Sequence, residues 1–450
     1  MNMNMKIPSG PSVKIAQKII RQDQRKGWAD LSIQYGKNFI FQGNLVTSDA
    51  ELTRILLMER EHTLQRSAVY KFMSWLIPGA PGVLFMDGET WQKRVHAMMP
   101  VFTKANIESY GKTIHDMVMA NVQSWKNGML LNDLYMTITK IGLQVVLKVG
   151  YGLDPSNELA AAYGNELMEY KLLTMNSKSR IDGFGFSTDQ LLLLPTHFKD
   201  IRYLKKRMKI QKGLLEEILV QRKNDEQDGI DWINLFSKAG FSLNEMTNEL
   251  NHIYGAFNAI DYTITCALYE LSRNKNWVAI LRNELASVIG PNRHPGREDV
   301  DALPNTINFM KEVYRYYPVA IAVMRKTGKP LIVEGVNYPS GKEVIIALQA
   351  MHHHPDYWEE PLVFNPDRWK LPLKEPRAYI PFLQGPRQCI GKHLAELHFL
   401  ITLNAIIQHC SFQIEAPVKI GPYMIPRFEK PIPAIVHFNQ PLINQYDTQA

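Results

Sequence analysis

The sequence predicts a mainly α fold with small β-sheets near both ends of the chain, and three observations carry that reading. Apolar side chains recur at helical spacing over 107–125, 133–147, 158–173, 202–222 and 243–273. Short alternating or β-branched runs occur at 39–46, 331–333 and 343–347, and a proline-interrupted tail at 412–438 also has β character. No Pro/Gly/Ser-rich linker or internal repeat divides these segments, so residues 1–450 are read as one large domain. With 45% hydrophobic residues, the chain has the means to bury a large core.

Each element has a local reason. Residues 39–46 alternate as a strand pair, and Ser48-Asp49-Ala50-Glu51 then offers short polar side chains at a helix start. The glycine-bounded stretch Gly82 to Gly88 reads as a loop leading into the helix that holds Trp91. The segment 243–273 is long enough to cross a whole domain.

Composition excludes several classes. The net charge is +7, yet no nucleic-acid recognition motif accompanies it, and nucleic acid is not expected as a partner. The densest basic stretch, 202–209, alternates charge with apolar residues as a solvated helix face does. Of the three cysteines, Cys266 and Cys410 lie in apolar helical patterns and read as core fillers. A disulfide framework is excluded, and a reducing compartment fits. No stretch reaches the roughly 18 apolar residues that a membrane span needs. The start, Met1 to Lys6, lacks an apolar signal core before Pro8 and Pro11.

The third cysteine stands apart. Phe382 to Gly391 reads Phe-Leu-Gln-Gly-Pro-Arg-Gln-Cys-Ile-Gly, matching F-x-x-G-x-R-x-C-x-G. Upstream lie Glu312-Val313-Tyr314-Arg315, an E-x-x-R, and then Phe364-Asn365-Pro366-Asp367-Arg368-Trp369. E-x-x-R alone is weak, because Glu and Arg three apart are common on helices. The order of the three motifs is what counts. In that order they resemble the haem-thiolate monooxygenases, the cytochrome P-450 superfamily.

The resemblance implies a helix-rich triangular prism around a buried haem b, with Cys389 as axial ligand to the iron. A thiolate pushes electron density onto iron and favours O–O cleavage. It needs a dry site with backbone N–H groups directed at the sulfur. Gly385 and Gly391 would allow the loop's backbone conformations and close approach. Arg387 would pair with a haem propionate, and Phe382 would cover the sulfur side. Glu312, Arg315 and Arg368 would form a buried triad, tolerable only if carbonyls satisfy the spare guanidinium donors. Further propionate candidates are the Trp91 N–H, Arg94, His96 and Arg325. The family commonly has a basic residue four after the tryptophan, where this chain has Val95.

The distal helix departs from the family's Ala-Gly-x-Asp/Glu-Thr-Thr, whose acid and alcohol organise water and deliver protons for O–O cleavage. One register places Asn258 and Ala259 at the acid and alcohol positions; Leu268, Glu270, Asn274 and Glu284 downstream favour it. The other keeps the acid as Asp261 and puts Tyr262 where the first threonine belongs, with Thr263 following. On the first register Thr263 lies seven residues beyond Ala256, roughly 10 Å along the axis, and is no simple substitute. Pocket candidates by resemblance are Val83, Leu84, Tyr254, Ala256, Phe257, Val319, Ile321 and Ile425, a mostly apolar set suited to a lipophilic small molecule.

The expected activity is oxygenation of such a molecule with electrons from a separate donor, a ferredoxin or flavodoxin with its reductase. A peroxide-driven or oxidative-coupling enzyme, a non-catalytic haem sensor and a non-haem helical binding protein are the other readings. The missing hydrophobic anchor suggests a soluble, bacterial-type, cytoplasmic member.

Overall fold

Alternation at 39–46 closes into a hairpin: β1 (Asn38–Phe41) pairs antiparallel with β2 (Asn44–Thr47). Its two-residue turn, Gln42-Gly43, holds both residues at positive φ, as the right-handed twist of the strands requires. This is a computed structural model, and it describes residues 7–439 except 24–25, 60–65, 68–69, 71–81, 177–193, 225–228, 291–292 and 422–426. The N-terminal stretch 1–6 and the pocket candidate Ile425 therefore lie outside the described residues.

Fourteen helices of α type occur among the described residues. They are α1 (Val13–Gln22), α2 (Gly27–Tyr35), α3 (Ala50–Met58), α4 (Gly88–Met98), α5 (Lys104–Ser124), α6 (Leu134–Tyr151) and α7 (Glu158–Asn176). There follow α8 (Leu194–Asn224), α9 (Trp232–Lys238), α10 (Leu243–Arg273), α11 (Lys275–Val288), α12 (Pro304–Tyr316), α13 (Leu348–His353) and α14 (Lys392–His409). The remaining strands are β3 (Leu130–Leu131), β4 (Val323–Lys326), β5 (Leu331–Val333), β6 (Val336–Tyr338), β7 (Glu343–Ile346), β8 (Cys410–Gln413) and β9 (Ala434–Phe438). One sheet has the order β1-β2-β7-β4, with β2 and β7 parallel; a second runs β3-β9-β8, and β5 pairs with β6.

Caps explain where the helices begin. Asp49 accepts the Leu52 N–H at 2.8 Å and starts α3, as the sequence predicts. Ser242 and Glu245 form a reciprocal capping box that starts α10. The α12 start has Pro304 in its first turn, and its free amides at Asn305 and Thr306 donate to the Glu284 carboxylate of α11 at 2.8 and 2.7 Å.

The largest apolar cluster gathers around α14, which is buried nearly all round and packs along α5 and α10. A second cluster, with Leu45, Leu56, Val344, Ile346 and Trp358, backs the four-stranded sheet. Cys266 and Cys410 are buried, as the apolar patterns around them imply. The basic stretch 202–209 lies on α8 with Leu204 buried, Arg202, Lys205, Lys206 and Lys209 exposed, and Arg207 bonded to Glu166 at 2.7 Å. Among the described residues no helix is long and apolar enough to cross a membrane.

One polar contact sits inside this packing. Lys171 of α7 donates to Asp261 Oδ2 of α10 at 2.8 Å and to Thr139 Oγ1 of α6 at 3.3 Å, and both charged side chains are almost fully buried. Three helices meet at this pair. Lys171→Ala leaves an unpaired buried carboxylate and is expected to destabilise the protein by about 3–5 kcal/mol. Lys171→Met with Asp261→Leu is expected to lose much less, so urea midpoints of the single and double variants check the assignment.

Candidate functional site: a cysteine loop, an arginine cluster and the distal helix

The loop 382–391 is held by its own backbone. Cys389 N–H donates to Phe382 O at 2.9 Å, Gln388 N–H to Gly385 O at 3.0 Å, and Lys392 N–H to Cys389 O at 3.3 Å. Gly385 has φ +74, and a Cβ there would fall 2.2 Å from Leu57 O at the end of α3, so only glycine fits. Gly391 is different: its φ is −86, and a Cβ would meet Phe102 and Cys389 Sγ at ordinary contact distances of 3.7 and 3.9 Å. The conformational reason expected for Gly391 therefore fails, and its place is the N-cap of α14.

Cys389 is the only exposed cysteine of the three. Desolvation by the surrounding protein nevertheless pushes its thiol pKa up, while the Gly391 N–H bonded to the sulfur pulls it down. The residue is thus exposed while its sulfur is dehydrated. Left alone it is a thiol; a metal cation is what would hold it as an anion. Phe382 sits edge-on to Tyr314 with centroids 5.1 Å apart, on the α12 side of the loop.

Arg387, from this loop, is buried with two other guanidinium groups, Arg66 and Arg325. Arg387 Nη1 donates to Met86 O at 3.0 Å, and its plane lies 4.2 Å from the Trp91 ring centroid. Arg325 donates from Nη1 to Met324 O at 2.9 Å; its Nε and Nη2, and the Nε of Arg66, have no hydrogen-bond partner among the described residues. Burial, and then the charges of Arg66 and Arg325, push Arg387 down to about 9. Burial, with Arg325 adding to it, pushes Arg66 to about 10. Like charges gathered out of water are stable only with an anion between them.

Arg94 and His96 are not part of this cluster. Arg94 reaches α10 instead, bonding Glu245 Oε1 at 2.5 Å and lying 3.4 Å from the buried Glu249, so its charge is already matched. His96 is exposed on the outer side of α4. The helical face four residues after Trp91 belongs to Val95, and its neighbours are carried to either side.

The E-x-x-R helix is α12. Arg315 Nε and Nη2 donate to Glu312 at 2.9 and 2.7 Å, and Arg368 Nε donates to Glu312 Oε1 at 3.1 Å. The spare guanidinium donors find main-chain carbonyls of His352, Pro361 and Val363 from Arg315, and of Glu359, Glu360 and Val363 from Arg368. Asn365 N–H and Trp369 Nε1 complete the carboxylate's partners at 2.9 and 3.0 Å. Among the described residues, the hydrogen bonds of these three groups run to the chain itself and tie α12 to residues 352–369.

The distal helix α10 is buried at Ile253, Tyr254 and Phe257 and again from Ile260 to Leu271. Its opening falls on Gly255 and Ala256, with Asn258 and Ala259 half-buried. Asn258 Oδ1 has no hydrogen-bond partner among the described residues. Asp261 points the other way, into the Lys171 pair, and Thr263 Oγ1 donates to Ala259 O and Ile260 O of its own helix at 3.0 Å each. Asp261 and Thr263 are thus engaged with Lys171 and with the helix's own carbonyls, while Asn258 and Ala259 lie half-buried next to the exposed Gly255 and Ala256.

Several apolar pocket candidates are core. Tyr254 packs beside Lys171, Phe257 between Trp232 and His398, and Ile321 within the cluster behind the sheet. Ala256 and Leu84 are exposed, while Val83 and Val319 are half-buried. Arg66 escaped the sequence reading because it belongs to no spaced motif; only its burial beside Arg325 and Arg387 marks it.

Comparison with known proteins gives the same picture. The pattern that defines cytochrome P450 matches residues 35–434. The chain belongs to the cytochrome P450 family. It is 23% identical to cytochrome P450 4X1 of Rattus norvegicus over 86% of this chain and 81% of that one. It is 23% identical to cytokinin hydroxylase of Arabidopsis thaliana over 88% and 79%, and 31% identical to human cytochrome P450 3A5 over 43% and 40%.

The helix-rich chain with small sheets thus has the cytochrome P450 fold. Cytochrome P450 enzymes are monooxygenases that carry haem b on a cysteine thiolate. This chain's residues fit that group: a dehydrated, open sulfur at Cys389, and three buried guanidinium groups of which Arg325 keeps two donor nitrogens unbonded among the described residues, match a thiolate-held iron and two propionates. Glu312→Ala strands the buried Arg315 and the half-buried Arg368, and is expected to cost about 3–5 kcal/mol. Purified variant should carry less haem per chain than wild type, read as Soret absorbance against protein, whereas Arg94→Gln should keep its haem.

Proposed function

We propose that this cytochrome P450 holds its haem iron on Cys389, seats the propionates on Arg66, Arg325 and Arg387 beside Trp91, and oxidises a lipophilic small molecule. The observation that carries the reading is the trio of buried arginines, with Nε and Nη2 of Arg325 and Nε of Arg66 unbonded among the described residues, on and beside the loop of the one open cysteine. Thiolate-held haem supplies dioxygen activation, with one oxygen atom going to the substrate and the other to water at the expense of two electrons and two protons. A separate donor brings the electrons; we place it in the ferredoxin or flavodoxin class with its reductase, and the protein in the cytoplasm.

The chain's own residues set the rest. Gly385 and the Phe382–Cys389 bond hold the sulfur, and the Gly391 N–H favours its anionic form. Ala256 and Ala259 leave room on the distal side, and apolar Leu84, Val83 and Val319 exclude water from the substrate. Proton supply then rests on ordered water held at Asn258 Oδ1, an acceptor without a proton of its own to give. The hydroxylase among the relatives supports hydroxylation as the reaction.

Two measurements test this. The reduced carbon-monoxide complex of the wild type is expected to show the red-shifted thiolate band, and Cys389→Ala to lose it; retention of that band in the variant overturns the assignment. Ala259→Thr should raise the fraction of NAD(P)H oxidation coupled to product without changing haem content. Product formation with NAD(P)H and ferredoxin, flavodoxin or a diflavin reductase, compared with product formation with hydrogen peroxide in place of NAD(P)H and donor, also identifies the electron source.

A further inference from the structure

Arg94 was expected at the haem and lies instead beside a carboxylate that no family motif accounts for. Glu249, on α10, is fully buried, yet both its oxygens accept a single backbone donor, the Val83 N–H, at 3.1 Å each. Arg94 Nη1 of α4 lies 3.4 Å from Glu249, and the other arm of Arg94 is taken by Glu245, which is itself spent on the α10 cap. Burial pushes the Glu249 carboxyl up to about 7, against the pull of Val83 and Arg94. A carboxyl kept in so unfavourable a place marks a contact the fold is built around.

The segment it grips is a turn. Phe85 N–H donates to Gly82 O at 2.9 Å, so Val83 and Leu84 are its central residues. The turn lies flush on α10. A Cβ at Gly82 would fall 2.1 Å from His252 Nδ1, and the Phe85 ring meets the His252 ring edge-on with centroids 5.3 Å apart. His252 is pinned in turn by its Nδ1 contact with Asn248 O at 3.0 Å. Along α10 the sequence of groups is therefore Glu249 and His252 under the turn, then Ala256 and Ala259 at the opening. The turn is thus fixed about two helical turns from the reactive stretch, and its tip, Leu84, stays 47% exposed.

We propose that Glu249 is a positioning residue: by accepting the Val83 N–H it holds the 82–85 turn on α10 and so sets one wall of the substrate pocket. The clause about the pocket rests on the haem reading above; the grip on the turn does not.

Hydrogen–deuterium exchange of the haem-loaded protein, with optical titration by 4-phenylimidazole, tests both parts. Glu249→Ala removes the acceptor and should speed exchange in the 82–88 peptide by roughly tenfold or more, the size of one lost bond to a charged group. The 4-phenylimidazole affinity should fall in the same variant. Glu249→Gln keeps an oxygen for Val83 and should restore most of both. Val83→Pro attacks the bond from its other end, at a turn position that suits proline, and should weaken 4-phenylimidazole as Glu249→Ala does. Unchanged exchange in Glu249→Ala overturns the grip. Faster exchange with unchanged affinity overturns the role in the pocket, as does failure of Glu249→Gln to restore affinity. A wild type without the thiolate band would instead sink the haem reading and leave the exchange result standing.

Discussion

One carboxylate without contact with water ties the proximal half of this protein together. Glu312 collects five N–H donors from four residues, Arg315, Arg368, Asn365 and Trp369, spread over 57 positions of sequence. Each arginine then spends its remaining donors on main-chain carbonyls of the irregular segment 352–363. A long stretch with little regular structure has no ladder to fix it, so side-chain donors do that work. The cost of burying these charges is offset because every nitrogen of both guanidinium groups has at least one acceptor. The cysteine loop follows directly on from this braced segment.

Position in the chain was legible wherever a motif carries its own physical requirement. The cysteine loop, the E-x-x-R helix and Arg368 could be read because their chemistry demands fixed residue types at fixed spacing. The bounds of α10 could be read because Ser242 and Glu245 write a cap into the sequence. Facing could not. Asp261 and Asn258 lie three residues apart, yet Asp261 is bonded to Lys171 while Asn258 Oδ1 has no hydrogen-bond partner among the described residues. Nothing in the local sequence decides this, since the deciding partner lies on α7, 90 positions earlier. Arg94 fell to the same limit: its partners, Glu245 and Glu249, come from a distant helix.

The distal helix shows what the site gives up. On the register proposed above, where the family has an acid and an alcohol this chain offers an amide and a methyl group, and the carboxylate of Asp261 is locked into a structural pair. An amide accepts and donates hydrogen bonds but does not change charge, so it orders solvent without titrating. Thr263 is occupied by its own helix carbonyls. If the proposed pocket is right, efficient use of reducing power depends on how well the bound substrate excludes stray water, and the turn at 82–85 matters beyond binding.

The crowd of guanidinium groups at Arg66, Arg325 and Arg387 has a consequence for the life of the chain before it is loaded. If the propionates seat there as proposed, this mutual repulsion is a penalty on the folded apoprotein that the cofactor relieves, and cofactor binding and folding free energy become one linked quantity. Nascent chains made faster than porphyrin is supplied would stay loose in this region and exposed to proteolysis. Cellular abundance of the protein would then follow the supply of pigment rather than the rate of translation.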